Sequence, residues 1–383
     1  MKARVAIAKC PLYRTEDISA ALEKLFFCLG GLKQFVPNGA PVLIKPNLLS
    51  DRSPEKAVTT HPEVVRCLIR MVRQCGGIPS VGDSPCGVMK TEALLKITGF
   101  RALCDEENVK FVVLEKEPCV THNYRGIPLA VTKAAFDAGL VINVPKLKTH
   151  SFTCLTNAVK NVFGLLPGFQ KALLHKSFPT PAMFGNCLAF LYTIVKPRLT
   201  VCDAVTAMEG DGPASGDPVN LGFIAASSDG VALDRIVSHK LGFDFKEVPY
   251  FAPLRQIGAG ETELERIEPA GDANYLDTLR PLRKAGSAGM VHLIPKPLVR
   301  LLEPYLWIRP EFKNNCTACL RCVAACPVKA LSPAQKKHPF LDRTKCIGCC
   351  CCHEACPEEA ITMTASPLLR LTSLRNMMRK KRS

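Results

Sequence analysis

Short apolar runs alternate with amphipathic stretches over the first two-thirds of this chain. Residues 4–8, 41–44, 78–81, 110–114, 139–144, 198–202 and 221–226 are apolar with little alternation, the pattern of strands covered on both faces. Residues 18–29, 62–74, 155–163, 181–195 and 231–241 instead repeat apolar positions every three or four residues, which predicts helices. Further helical stretches are expected near 90–107 and 132–138. Gly30-Gly31 and Gly76-Gly77 stand where the first two long helices should stop. Strands separated by helices predict an α/β domain over residues 1–270, built on a mostly parallel doubly wound sheet. Residues 271–306 read as a connector, because Pro295, Pro297 and Pro304 interrupt any long helix.

The periodicity changes again at 307–365, where cysteines set the pattern. The first run is Cys316-x2-Cys319-x2-Cys322-x3-Cys326-Pro327, and the second is Cys346-x2-Cys349-x2-Cys352-x3-Cys356-Pro357. Each is the ligand spacing of a bacterial-type [4Fe–4S] cluster, and the pair predicts two clusters. Three cysteines on one tight loop reach three irons of one cube, and the fourth ligates the other cluster. Cys316, Cys319, Cys322 and Cys356 are therefore expected around one cluster, and Cys346, Cys349, Cys352 and Cys326 around the other. Structural zinc or a disulfide framework would not require a third cysteine at this spacing followed by Cys-Pro. The segment resembles a two-cluster ferredoxin domain, which implies a small α+β fold with pseudo-two-fold symmetry. Cys350 and Cys351 fall out of register and read as bystanders beside the second cluster.

Composition narrows the class. The 383 residues are 47% hydrophobic and carry a formal charge of +16, so two domains with a large core are expected. Ten of the 20 cysteines are scattered over residues 10–202 without regular spacing. Beside oxygen-sensitive clusters they read as reduced, mostly buried thiols, and the expected location is the cytoplasm of an anaerobe. The N-terminus has no secretory leader pattern, and no apolar run reaches the ~18 residues of a membrane span. The last stretch, 366–383, is basic: Arg370, Arg375, Arg379, Lys380, Lys381 and Arg382 interleave with apolar residues at helical spacing. It is either a solvated tail or a basic amphipathic helix for an anionic membrane surface. No nucleic-acid-binding motif accompanies the positive charge.

Polar residues collect where the strands of the α/β domain should end. Lys45-Pro46-Asn47, Gly82-Asp83-Ser84, Lys146-Leu147-Lys148-Thr149-His150 and Asp203 each follow a predicted strand, and open parallel sheets bind ligands at that edge. Lys45, Asn47, His61 and Asp83 are the candidate ligand-binding residues. Lys146, Lys148, His150, Lys160 and Asn161 are the candidate catalytic residues: a basic group able to hold a small anionic substrate and supply a proton. Taken singly, a lysine at a strand end is usually solvated; their convergence is what favours a site. Asp203, Glu209, Asp211, Asp217, Asp229 and Asp234 form an acidic group, but their spacing matches no metal loop. No glycine-rich dinucleotide or phosphate motif is present.

The same rim residues carry a resemblance. Lys45-Pro46-Asn47, Thr60-His61-Pro62, Gly82-Asp83-Ser84-Pro85, the 145–150 and 158–164 segments, and Ser228-Asp229-Gly230-Val231-Ala232-Leu233-Asp234 resemble the domain-of-unknown-function 362 family over residues 5–240. That resemblance implies an α/β iron–sulfur protein, often fused to a two-cluster ferredoxin module, without a settled substrate. Two readings stay open. One is an iron–sulfur dependent oxidoreductase that relays electrons from a redox partner to a ligand on the rim. The other is an electron carrier or docking protein with no catalytic site of its own.

Overall fold

The computed structural model describes residues 2–85, 90–285, 307–333 and 338–367. The basic stretch over 370–383 and most of the expected connector lie outside the described residues. The chain begins with strand β1 (Ala3–Lys9), helix α1 (Thr15–Cys28), β2 (Pro41–Pro46), α2 (Pro62–Gln74) and β3 (Ile78–Asp83). Then come α3 (Thr91–Ile97), α4 (Phe100–Glu106) and β4 (Phe111–Val113), followed by a separate hairpin of β5 (Cys119–Tyr124) and β6 (Ile127–Thr132). The middle of the domain is α5 (Ala134–Asp137), β7 (Leu140–Val144), β8 (Lys146–His150), β9 (Cys154–Thr156), α6 (Ala158–Asn161), α7 (Gly168–Ser177) and α8 (Pro181–Val195). It closes with β10 (Leu199–Glu209), β11 (Asp217–Ser227), α9 (Gly230–Lys240), α10 (Phe251–Ile257) and β12 (Ile267–Gly271).

These strands form one mixed, mostly parallel sheet in the order β12-β1-β11-β10-β7-β2-β3-β4, with β8 and β9 attached beside β10. The run from β10 to β4 is parallel throughout, whereas β11 is antiparallel to both its neighbours. Alternate strand residues feed opposite cores, as the pleat requires. Leu43 belongs to the core that holds Phe184 and Leu188 of α8, whereas its neighbours Val42 and Ile44 belong to the core that holds Leu22 of α1 and Leu68 of α2. Helices therefore cover both faces, and this is the α/β class expected from the periodicity.

The structure corrects two local expectations. The helix expected over 155–163 is β9 followed by the single turn α6. Cys154 takes a left-handed φ of 64° there, and Asn157 is extended at φ −155°. The cap of α6 is remote: the Asp234 carboxylate accepts the Ala158 and Val159 N–H groups at 2.8 and 3.0 Å, a long-range contact that local periodicity does not encode. The 145–150 segment, read as a loop, is strand β8, which continues past Pro145 and pairs with the far half of β10. Packing onto the first unit continues beyond β12, where Leu276 and Leu282 are buried and Arg280 pairs with Glu209 at 2.8 Å.

The second unit repeats itself at a 30-residue offset. β13 (Ile308–Phe312) pairs with β16 (Ile361–Ala365), and β14 (Leu331–Ser332) with β15 (Phe340–Leu341). Short helices α11 (Arg321–Ala324) and α12 (Cys351–Glu354) occupy equivalent places. The left-handed residues match as well: Ala318, Leu320 and Lys329 in one half, Gly348, Cys350 and Glu359 in the other.

One buried ion pair ties the β1–α1 loop, the start of α2, β8 and β10 together. Lys146 and Asp203, both fully buried, meet at 2.7 Å. Lys146 also donates to the Tyr13 hydroxyl and to the Thr206 carbonyl, while Asp203 accepts from Tyr13 and from the His61 N–H. Replacing Asp203 by Ala strands the Lys146 charge in the core, and the expected cost is about 3–5 kcal/mol. Anaerobic denaturant unfolding of Asp203→Ala checks this; a midpoint like that of the parent protein would remove Lys146–Asp203 from the stabilising contacts.

Candidate functional site

The reversal in strand order decides where the site lies. The chain runs outward from β2 to β4, returns to β7 on the other side of β2, and continues to β10. Segments leaving β2 and β7 therefore diverge, and a crevice opens at their carboxyl ends. The cysteine-rich unit sits across this crevice and closes it into a chamber of about 500 Å³. From the sheet side the chamber is lined by Lys45, Asn47, Asp83, Lys148, His150, Lys160 and Asn161; from the cysteine-rich side by Ala324, Ala325, Cys351 and Glu354. The loop after β2 clasps the two units together. Both Asp51 oxygens accept from Arg321 at 2.9 Å, and Arg52 donates to Glu359 at 2.5 Å and to the Cys356 carbonyl.

Seven of the nine rim residues singled out from the sequence thus share one cavity. His61 and Lys146 do not line it: they belong to the Lys146–Asp203 cluster, where His61 stacks on Tyr13 at 3.7 Å and caps α2. Burial pushes the His61 imidazole down to about 4, against the pull of Asp203. The acidic group disperses too. Glu209 and Asp217 pair with arginines, Asp229 caps α9, and Asp234 caps α6. Asp234, fully buried, is pushed up to about 7 by desolvation, with its backbone N–H partners opposing. Several chamber residues left no periodic or motif signal, notably Lys171 and His175 on α7 and Glu354 on α12.

The lysines are buried and specifically held. Lys45 pairs with Asp83 at 2.8 Å and donates to the Pro46 carbonyl. Gly164 makes that pair fit, because a Cβ there would overlap both the Asp83 carboxylate and the Lys45 ammonium. Asn143 and Asn161 bridge from β7 to Lys45. Lys148 donates to the Val58 carbonyl at 2.7 Å and to Asn47 at 3.3 Å. Burial lowers the Lys148 ammonium from 10.5 to about 7, with Glu354 opposing. Lys160 is lowered for the same reason. His150 accepts the Phe152 and Thr153 N–H groups on Nδ1, which leaves its proton on Nε2, 3.5 Å from Glu354. Burial holds this imidazole well below its ordinary value, and Lys160 adds to the effect. Glu354 is raised by desolvation while Lys160, Lys148 and Lys171 pull it down.

Two small cavities sit inside the cysteine-rich unit. One is lined by Cys316, Cys319, Cys322 and Cys356; the other by Cys326, Cys346, Cys349, Cys352 and also Cys350. Among the described residues no three His, Cys, Asp or Glu side chains converge on a point that would hold a single ion. The thiols stand apart around a void, as a multi-iron cluster needs and a mononuclear site does not. Ala330 and Ala360 donate N–H groups to Cys326 and Cys356 sulfurs at 3.2 and 3.3 Å, contacts that stabilise thiolate ligands. One equivalent pair differs in setting: Cys319 is exposed, whereas Cys349 is buried, as are its neighbours Cys350 and Cys351. Cys351, expected as a bystander, lies on the chamber wall directly before Cys352, and Ala325 lies there directly before Cys326. The chamber thus abuts the second cysteine set.

The model of a family described as Domain of unknown function (DUF362) matches residues 42–239, and a 4Fe-4S binding domain matches residues 312–332. The thylakoid-associated protein sll1697 of Synechocystis sp. is 34% identical over 266 residues, which cover 69% of this chain and 83% of that protein. Among solved structures, the lactate racemase apoprotein from Thermoanaerobacterium thermosaccharolyticum aligns with a TM-score of 0.41 and 14% identity. The alignment covers 62% of this chain and only 57% of the racemase. No described helix is long and apolar enough to cross a membrane.

The buried Lys148 makes stability depend on pH. Between about pH 7 and 10.5 the unfolded chain holds a proton on this lysine that the folded protein does not, so stability rises with pH, by up to about 1.4 kcal/mol per unit. Unfolding free energies of Lys148→Met should show a shallower rise from about pH 7 to 9 than the parent. Equal slopes would mean that Lys148 keeps its charge in the chamber.

Proposed function

Since the chain belongs to the DUF362 family and carries a 4Fe–4S binding domain, we propose that it is an electron-transfer protein that serves a ligand held in its rim chamber. The single observation that carries this reading is the shared wall: Cys351 and Ala325, immediate neighbours of Cys352 and Cys326, line the same cavity as Lys148, His150 and Lys160. In this reading Cys316, Cys319, Cys322 and Cys356 hold one [4Fe–4S] cluster, and Cys346, Cys349, Cys352 and Cys326 hold the second. The clusters supply one-electron transfer.

The remaining roles fall to the chain's own residues. Exposure of Cys319 and Leu320 gives a redox partner its closest approach at the first set, whereas their counterparts Cys349 and Cys350 are buried. The Asp51–Arg321 and Arg52–Glu359 clasps hold the chamber against the second set. Lys148, lowered to about 7, can give up a proton at the chamber wall, and the neutral His150 offers its Nε2–H there as a hydrogen-bond donor. A carrier without a site of its own would leave its rim lysines in water, whereas Lys45 and Lys148 are buried and turned inward. The activity would be that of an iron–sulfur dependent oxidoreductase.

Anaerobically purified protein should contain about eight iron atoms per chain, and Cys319→Ala or Cys349→Ala should each retain about four. Dithionite-reduced parent protein should show the EPR signature of two interacting clusters, and each variant that of one. An iron content of about four in the parent would reduce the proposal to a single cluster. Unchanged iron in both variants would overturn the ligand sets.

A further inference from the structure

The chamber contains polar groups that its own walls do not satisfy. Ser84 Oγ, Thr156 Oγ1 and His175 Nδ1 are buried and have no hydrogen-bond partner among the described residues. Their residues are 2%, 4% and 3% exposed, and all three line the chamber. Native interiors rarely leave such atoms unpaired, and each one calls for a bound molecule or water. The lysines sort in the same way. Lys45 is taken by Asp83, Lys148 by the Val58 carbonyl and Lys171 by the Ser84 carbonyl. Lys160 has no hydrogen-bond or ion-pair partner among the described residues. Its ammonium instead lies 4.5 Å from the Phe163 ring centroid and 5.8 Å from that of Phe184.

This inventory limits the ligand. One uncommitted ammonium beside neutral hydroxyls matches a single negative charge. Glu354, one oxygen of which also lacks a hydrogen bond and whose charge faces Lys160, and Glu115 line the cavity, and among the described residues no arginine does, which disfavours a phosphate dianion: that group calls for several open cations or a cradle of backbone N–H groups. Phe163, Leu48 and Pro85 supply an apolar wall beside the cation, and a planar body can lie against the ring while its charged end reaches Lys160. The volume, about 500 Å³, is that of a small-molecule site.

We propose that the chamber binds an organic monocarboxylate with a planar apolar body, its carboxylate on Lys160 and the Ser84 or Thr156 hydroxyl, its body against Phe163. The proposal rests on the chamber assigned above and names the class of ligand that the chamber receives.

Binding can be read without turnover, which separates this inference from the electron-transfer reading. Calorimetry on oxidised, anaerobically purified full-length protein would use benzoate, its neutral analogue benzamide, and inorganic phosphate as probes. Benzoate should bind at one site per chain, benzamide about tenfold or more weaker, and phosphate should not displace benzoate. Lys160→Gln should weaken benzoate by about tenfold or more at unchanged iron content. Thr156→Val, which keeps the side-chain shape, serves as a second variant should the first lose its fold, with a loss of a few-fold expected. Absence of saturable benzoate binding, equal binding of benzamide, or affinity unmoved in the folded variants would overturn the proposal. Preferential phosphate binding would replace the carboxylate class with a phosphoryl one.

Discussion

The loop between β2 and α2 couples the two halves of this molecule. Its base is closed by Asn47 and Thr60, which exchange backbone and hydroxyl hydrogen bonds, while the Thr60 hydroxyl also donates to the Val144 carbonyl on β7. One end of the loop places Asn47 in the chamber beside Lys148. A few residues on, Asp51 and Arg52 grip the cysteine-rich unit. Chamber geometry and unit docking therefore share one short covalent segment. A shift of the cysteine-rich unit would be felt at Asn47 and Lys148, and the void facing Cys351 exists only while the clasp holds.

Burial of charge is the second constraint. Placing lysine ammonium groups in a protein interior is costly unless each finds a carboxylate or carbonyl. The fold meets this with partners drawn from distant segments: Asp83 for Lys45, Asp203 for Lys146, the Val58 carbonyl for Lys148. Lys160 departs from the pattern, with ring faces for neighbours. Two kinds of lysine thus stand on one rim, those held by a carboxylate or a carbonyl and one, Lys160, held among the described residues only by ring faces.

Internal repetition with unequal burial is the third. The two cysteine halves share spacing, left-handed positions and N–H···S contacts. They differ in what covers them. Cys319 and Leu320 face outward, while their counterparts Cys349 and Cys350 are packed inside. A symmetric sequence motif acquires direction only because one half is pressed against another domain.

Spacing and periodicity were legible locally. The cysteine registers, the α/β alternation, the bounds of α2 and α8, and the collection of polar residues at strand ends all follow from neighbours in the chain, since they reflect turn geometry and the periods of helix and strand. Strand β8 escaped because a basic alternating segment has no apolar signature; its partner, β10, is supplied more than fifty residues later. The start of α6, expected three residues earlier in place of β9, escaped because its cap, Asp234, is remote in sequence. Which rim lysines are paired depended on carboxylates far along the chain, Asp83 for Lys45 and Asp203 for Lys146. Sequence alone determined the kinds of chemistry present. Tertiary structure alone decided which groups meet, because pairing and burial are set by contacts between segments that no local pattern records.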